Sequence, residues 1–438
     1  MSPERQIPGD AARALSPPHV EDSSSTRIAI LGYFLILALA GGLGAPTGIA
    51  AIPIGYFLKD NLHLSPVDLA LFVAIAGAPA YVGFLPGFVR DRFRPRIMGD
   101  RFFLLVGALI AFAAYLYLGL ASIDYPRLLF ATLIAGVAFL FILTGAQALM
   151  TGVAQAHLMI GRLSVVAGVG TYMPAVIAAF LGGWLVAYVP ARTTFIIAAF
   201  VTLGIAAQSF WRLSAVVAFD ESEARAESGI AAVRRLARYR PIWPAALMFF
   251  LWNFGPGWGT PMFYYLTETV KLSSQMFGAF TAVQWLFFIP STILYVPLCR
   301  RFTLTSLLWW GTLIAILQGP IMFFARGPAS AIAVAVLYGL FGGFPTAAYV
   351  DLIMRSCPKG LEGTAMMLAV TTAGAAASNS GNLLGSWIYS AGGFASAVAI
   401  TTLATALIVP ILWWVPESIT STREGEAAAS SSTEIART

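Results

Sequence analysis

The stretch Gly55-Tyr56-Phe57-Leu58-Lys59-Asp60-Asn61-Leu62-His63-Leu64-Ser65 returns without a gap as Phe263-Tyr264-Tyr265-Leu266-Thr267-Glu268-Thr269-Val270-Lys271-Leu272-Ser273. Tyr56 falls on Tyr264, Leu58 on Leu266, Leu64 on Leu272 and Ser65 on Ser273, while Asp60 meets Glu268 and Leu62 meets Val270. At the same offset (55 to 263, or 208 residues), Pro53 meets Pro261 upstream and Arg92 meets Arg300 downstream. A second echo pairs Leu-Gly-Gly-Trp at 181–184 with Leu-Gly-Ser-Trp at 384–387. One such match can arise by chance in a Leu-rich chain. Two, at corresponding places, point to an internal duplication.

The composition says what is duplicated. Hydrophobic residues make up 58% of the 438 and charged ones only 11%, against about 25% charged in soluble domains; the mean hydropathy is +0.80. Apolar runs of about 20 residues cross the hydrocarbon of a bilayer as helices, because lipid satisfies no exposed backbone group. Twelve spans are predicted, at 29–58, 67–89, 101–122, 127–155, 161–188 and 192–212, then 242–267, 275–298, 304–325, 329–354, 363–390 and 394–415. The expected organisation is a disordered tail over 1–26, a six-helix bundle over 27–212, a linker over 213–240, a second bundle over 241–416 and a disordered tail over 417–438. The apolar run from Ile28 continues to Leu58 and is followed by further spans, so it reads as a span and not as a cleaved leader.

Lys and Arg number 16 on the even-numbered loops and five on the odd-numbered ones, the latter being Lys59, Arg127, Arg192, Lys271 and Arg326. That asymmetry puts both termini and the even loops in the cytoplasm of an integral inner-membrane protein. The linker carries acids first (Asp220, Glu221, Glu223, Glu227) and arginines later, as expected of a linker whose basic end obeys the same charge rule; the alternative is a surface helix over 230–239 with Val233, Leu236 and Tyr239 on one side.

Two parallel six-helix halves related by an axis along the membrane normal are the plan of major facilitator carriers, and the chain resembles that superfamily. Its signature loop is approached by Gly87-Phe88-Val89-Arg90-Asp91-Arg92-Phe93-Arg94-Pro95-Arg96, where Arg94 replaces the family's second glycine. Asp91 and Arg92 are therefore candidates for a charge lock at the cytoplasmic face. Three stretches are similar to the folate–biopterin transporter branch: Tyr56 to Pro66, Phe249 to Glu268, and Ser356 to Val370 with its Cys357-Pro358-Lys359-Gly360, Glu362 and Gly363. The resemblance runs from about residue 50 to about 390. It implies secondary active transport of a pteridine-like, folate-like or other small organic solute by a monomer, coupled to protons or Na+. One departure stands out. That branch tends to carry acids four apart in the fourth span, whereas Leu143 to His157 offers Gln147 and Thr151 and no carboxylate; burial lifts a carboxylate's pKa towards the working range and makes it the usual proton carrier.

Solute-binding candidates are consequently neutral: Gln147, Asn253, Tyr264, Gln284, Asn379 and Asn382, with Trp258 to stack on a planar ring, and Trp252 or Trp285 able to do the same. Amides both donate and accept and aromatic faces stack, although amides also join helices to one another in membrane bundles. Gating or coupling candidates are Asp60 and Glu268, at corresponding outer ends of spans one and seven, and Asp351 with Arg355, four apart near the inner end of span ten. The first two also fit solvated helix ends and the second two an i,i+4 surface pair. Asn253 to Pro261 holds two prolines and three glycines, so span seven is expected to break; Gly41-Gly42-Leu43-Gly44-Ala45-Pro46 is the counterpart in span one. Gly161, Gly168 and Gly170 on span five read as packing notches.

An enzyme is not indicated. Only His19, His63 and His157 are available, and neither HExxH nor GxSxG occurs. Cys299 and Cys357 give neither a disulfide framework nor a metal-ligand spacing, so no metal or cofactor is expected, and no nucleic-acid partner. The rival from another class is a protein of the same fold that binds a partner and does not transport.

Overall fold

The computed structural model describes residues 24–83, 85, 86, 89, 95, 98–156, 160–213, 238–240, 242–299, 301–356 and 367–421, and every regular element among them is helical. The helices are α1 Ser24–Gly44, α2 Ala51–Tyr56, α3 Pro66–Ala76, α4 Arg101–Leu120, α5 Tyr125–Ala156, α6 Ile160–Tyr188, α7 Ala191–Ser209, α8 Ile242–Asn253, α9 Thr260–Tyr264, α10 Ser274–Cys299, α11 Leu304–Ile321, α12 Pro328–Arg355, α13 Ala373–Ala406, α14 Ile408–Leu412 and α15 Glu417–Thr420. Nine helical stretches among the described residues are long and apolar enough to cross a bilayer. Asp91, Arg92 and the Cys357-to-Gly363 pattern lie outside the described residues, as does the linker over 214–237.

Two expected spans are broken where glycine and proline crowd. Span one is α1, a turn over 45–50, and α2; span seven is α8, an unwound stretch over 254–259, and α9. The predicted spans eleven and twelve lie largely in α13, whose 34 residues contain one break at Gly393 (φ 74°), at the short loop expected between them. An unbroken helix of that length would measure about 51 Å, well over the ~30 Å of hydrocarbon. α1 starts at Ser24, inside the stretch expected as tail, and Glu417–Thr420 adds a helical turn after Pro416.

Large apolar side chains stand outermost, among them Leu120, Phe130, Phe200, Phe210, Ile293 and Leu403. Water would penalise that surface and lipid does not. Inside, small residues let backbones touch. A Cβ on Gly107 would lie 2.8 Å from the Ala138 carbonyl oxygen, and one on Gly343 would meet Ser291 at 2.7 Å.

The buried apolar residues form three clusters. One (Ile30, Tyr33, Leu104, Ile142, Leu149, Ile205) draws only on residues before 214, and another (Met248, Tyr295, Leu308, Tyr349, Ile353, Ile408) only on residues after 241. The third joins the two: Ile54, Leu58, Phe72, Tyr115 and Phe195 pack with Phe263, Leu266, Phe280, Val334 and Val398. Its members flank the odd-numbered loops. The first two clusters lie towards the even-numbered ones.

Candidate functional site

The repeated stretch has the same backbone in both copies. Each runs from a short α-helix into a π-turn, Phe57–Asn61 and Tyr265–Thr269. Each then closes on a bond six residues back, Leu64 N–H to Leu58 O at 3.1 Å and Leu272 N–H to Leu266 O at 2.9 Å. The residue before that donor is left-handed: His63 at φ 51° and Lys271 at φ 60°. The bond spans one residue more than in the Schellman motif because the last turn is a π-turn, but like that motif it seals the helix end around a left-handed residue, and the four recurring leucines are its donors and acceptors. Ser65 and Ser273 recur because each Oγ accepts from the next helix, from Asp68 N–H (3.2 Å) and Met276 N–H (3.3 Å).

These two ends meet. Lys59 Nζ lies 3.6 Å from Asp60 and 3.7 Å from Glu268, with its own side chain mostly buried and both carboxylates about half exposed. The ammonium also sits over the rings of Phe263 and Tyr264 at 5.8 and 5.7 Å. Tyr264 is buried, and its hydroxyl donates to Leu64 O at 2.5 Å. Beneath the charges Tyr56, Phe263 and Phe277 pack edge to face. Asp60 and Glu268 are thus brought together through Lys59, which sequence reading counted only as a loop cation; its cue was its place beside Asp60 in a copy whose counterpart is Thr267.

The unwound stretch of span seven is held from two neighbouring segments. Asn382 Oδ1 accepts from Thr260 N–H, the first amide of α9, at 2.7 Å, and Thr401 Oγ1 accepts from Gly257 N–H. Gly259 (φ 70°) presses against the same carboxamide: a Cβ there would lie 2.6 Å from Asn382 Oδ1. Gly381 faces Gly255 N, and a side chain on Gly385 would collide with Pro256 O. In span one the break bonds to itself, Gly48 N–H to Ala45 O (2.7 Å) and Ile49 N–H to Leu43 O (3.0 Å).

The remaining amides are scattered along the bundle. Gln284 is buried on α10, and its Oε1 has no hydrogen-bond partner among the described residues. Asn379 packs its carboxamide against Gly77 across α13 and α3, and pairs with the Tyr81 hydroxyl. Asn253 closes α8 and donates to Phe249 O at 2.9 Å. Gln147 is exposed on α5; it lies about 200° round the helix from Gly145, the residue that faces α4 through Leu104 and Phe103. Trp258 packs edge to face on Tyr338 with centroids 4.6 Å apart. Trp252 bonds Thr346, while Trp285 stacks on Tyr172 of α6.

Asp351 and Arg355 form their i,i+4 pair, Nε to Oδ1 at 2.9 Å, and Asp351 also accepts from the Tyr295 hydroxyl at 2.6 Å. The pair ties α12 to α10. Of the span-five glycines, a Cβ on Gly170 would lie 2.5 Å from Ala38 Cβ, whereas nothing lies within 4 Å of a Cβ on Gly168; Gly161 is not described in this respect. Among the described residues no group of three His, Cys, Asp or Glu could hold a metal ion.

A sequence model of the Major Facilitator Superfamily matches residues 29–380. The folate-biopterin transporter of Synechocystis sp. is 21% identical over 388 residues, which cover 84% of this chain and 78% of the relative. Folate transporter 1 of Plasmodium falciparum is 21% identical over 337 residues, 72% of this chain and 65% of the relative. Among solved structures, a bacterial homolog of the human lysosomal transporter Spinster, crystallised inward-facing and unoccupied, superposes with a TM-score of 0.70 at 14% identity, over 93% of this chain and all of that one.

Proposed function

The chain belongs to the Major Facilitator Superfamily and is a multi-pass membrane transporter and not an enzyme; from that premise we propose that it moves a small planar heteroaromatic solute of the pterin or folate type, by alternating access between two six-helix halves and down an ion gradient. The observation that carries this reading is the division of the core. Among the described residues the buried apolar cluster at the Lys59–Glu268 end draws on both halves, whereas the two clusters towards the other end each draw on one half only. A carrier caught with one mouth closed would have that arrangement. The two relatives named for folate supply the substrate class. The uncombined Oε1 of Gln284, together with Gln147, Asn253, Asn379 and Trp258, supplies donors, acceptors and an aromatic face suited to it.

In this reading the chain is a monomer with twelve spans and both termini in the cytoplasm of the inner membrane, an orientation that rests on the distribution of Lys and Arg. The closed mouth is then the outer one. Asp60, Lys59 and Glu268 are gate residues, and Asp91, Arg92, Asp351 and Arg355 serve the inner face. The absence of a carboxylate from span four removes the usual proton carrier, so coupling to protons requires another group and Na+ is the alternative ion.

The test is uptake of radiolabelled folate and biopterin into proteoliposomes, with an imposed proton gradient, an imposed Na+ gradient, or neither. Saturable uptake accelerated by one gradient is expected. Equal uptake in all three conditions would overturn coupling and make the protein a facilitator. Protein shown to be folded that takes up neither compound would overturn the substrate class, and binding of a membrane partner without transport would then fit the fold.

A further inference from the structure

Asn382 sits where a solute ligand was expected, yet its oxygen is occupied by the chain itself. The outer arm of span seven, Thr260–Thr269, is detached from α8 by six unwound residues. Its first amide has lost its intrahelical acceptor, and a buried orphan amide is costly. Asn382, itself buried, provides the missing acceptor from α13, while Thr401 provides one for Gly257 beyond the Gly393 break. At its far end the same arm carries Tyr264 to Leu64 O and Glu268 to Lys59. It is therefore held to its own half at one end and to the opposite half at the other.

We infer that Asn382 is a positioning residue. It caps the outer arm of span seven in trans, and so fixes the pivot about which that arm closes the outer mouth. Opening the mouth must break the Tyr264–Leu64 and Lys59–Glu268 contacts, which cross between halves. The Asn382–Thr260 bond lies within one half and persists. In span one the first amide of the outer arm finds its acceptor within its own turn, Ala51 N–H to Gly48 O at 3.0 Å, whereas in span seven the first amide takes a side-chain acceptor from a neighbouring helix. Gly259 belongs to the same device, because only a residue without a Cβ admits both its backbone (φ 70°) and the carboxamide against it.

The inference rests on the transporter reading, but its first readout needs no solute. Spin labels at Thr193→Cys and Ala329→Cys, both exposed beside odd-numbered loops on opposite halves, are placed in a Cys299→Ser/Cys357→Ser background and their separation measured by pulsed electron resonance. Asn382→Ala removes the cap in both states, but only the undocked arm can then fray, so closing must re-order it, and the closed-mouth population should fall by up to about fivefold, the full worth of a lost helix cap. Asn382→Asp keeps the acceptor oxygen and should restore the wild-type distribution. In uptake assays Asn382→Ala should lower the maximal rate without raising KM, because a larger fraction of carrier presents its site to the outside. Should Asn382→Ala fold poorly, Thr401→Val removes the companion acceptor at nearly constant volume and should shift the distances in the same direction. An unchanged distribution, equal disturbance by Ala and Asp, or a raised KM at unchanged maximal rate would each overturn the inference. Absence of uptake by the wild-type protein, with the distance changes intact, would instead count against the transporter reading alone.

Discussion

Leu58 and Leu64, with Leu266 and Leu272, were visible in the sequence as a repeat, and the structure gives each a place: acceptor and donor of the bond that seals a π-ended helix, with a left-handed residue just before the donor. Lys59 was not visible as a functional residue, because nothing local says that its two carboxylates converge from segments 208 residues apart (60 to 268). The pair contributions are small. Both acids are about half exposed, and such ion pairs are worth about 0–1 kcal/mol in solvent. Lys59→Met should therefore change unfolding stability in detergent by less than about 1 kcal/mol, as read from thermal melts. The same substitution should still open the outer mouth, because it removes a contact present in only one state. A longer Thr193–Ala329 label separation with an almost unchanged melting temperature is the expected pair of results. Asn382 and Gln284 were both legible as polar residues in apolar spans. What separates them, an occupied oxygen in the first and an unpartnered one in the second, depends on neighbours that no local pattern names.

At the scale of the element, the breaks in spans one and seven could be read from Gly41 to Pro46 and from Asn253 to Pro261, because clustered glycine and proline remove helical bonds whatever surrounds them. The partners of those breaks could not, since Asn382 lies 122 residues from Thr260 in the chain. Span five shows the opposite failure. Gly168 and Gly170 look alike in sequence, but Gly170 meets Ala38 and Gly168 faces open space. The contrast is testable with two substitutions. Gly385→Val drives a side chain into the Pro256 carbonyl and should cost about 1–3 kcal/mol or more. Gly168→Ala meets nothing and exchanges a poor helix former for the best one, so it should be neutral or stabilise by up to about 1 kcal/mol. Melting curves of the two proteins beside wild type decide it. A destabilised Gly168→Ala would mean that span five occupies a second arrangement in which that face is covered.

For the molecule as a whole, hydropathy and the repeat made the helical bundle legible, because lipid leaves few alternatives to apolar helices. They could not say which mouth is closed, since one sequence must serve both states. The clearest mark of closure is the crossing of α6 and α10. A Cβ on Gly183 would lie 2.6 Å from Ser274 O and 2.9 Å from Gly278 Cα, and one on Gly278 would lie 2.6 Å from Ala179 O. Backbones approach this closely only while both positions lack side chains, and interfaces packed so tightly are bistable and not continuously deformable. Gly278→Leu should accordingly exclude the closed outer mouth and leave each half's own core untouched, because the atoms a Cβ there would meet, on Ala179 and Gly183, belong to neither core. Three results are expected together: label distances at Thr193 and Ala329 confined to the longer population, solute binding retained from the outside, and net uptake lost. Ala at the same position adds one carbon and should give a partial version of each. If Gly278→Leu protein still reached the short-distance population, the crossing would not be what closes the mouth, and the charges at Lys59 would have to hold it. Their exposure to solvent makes that the weaker candidate.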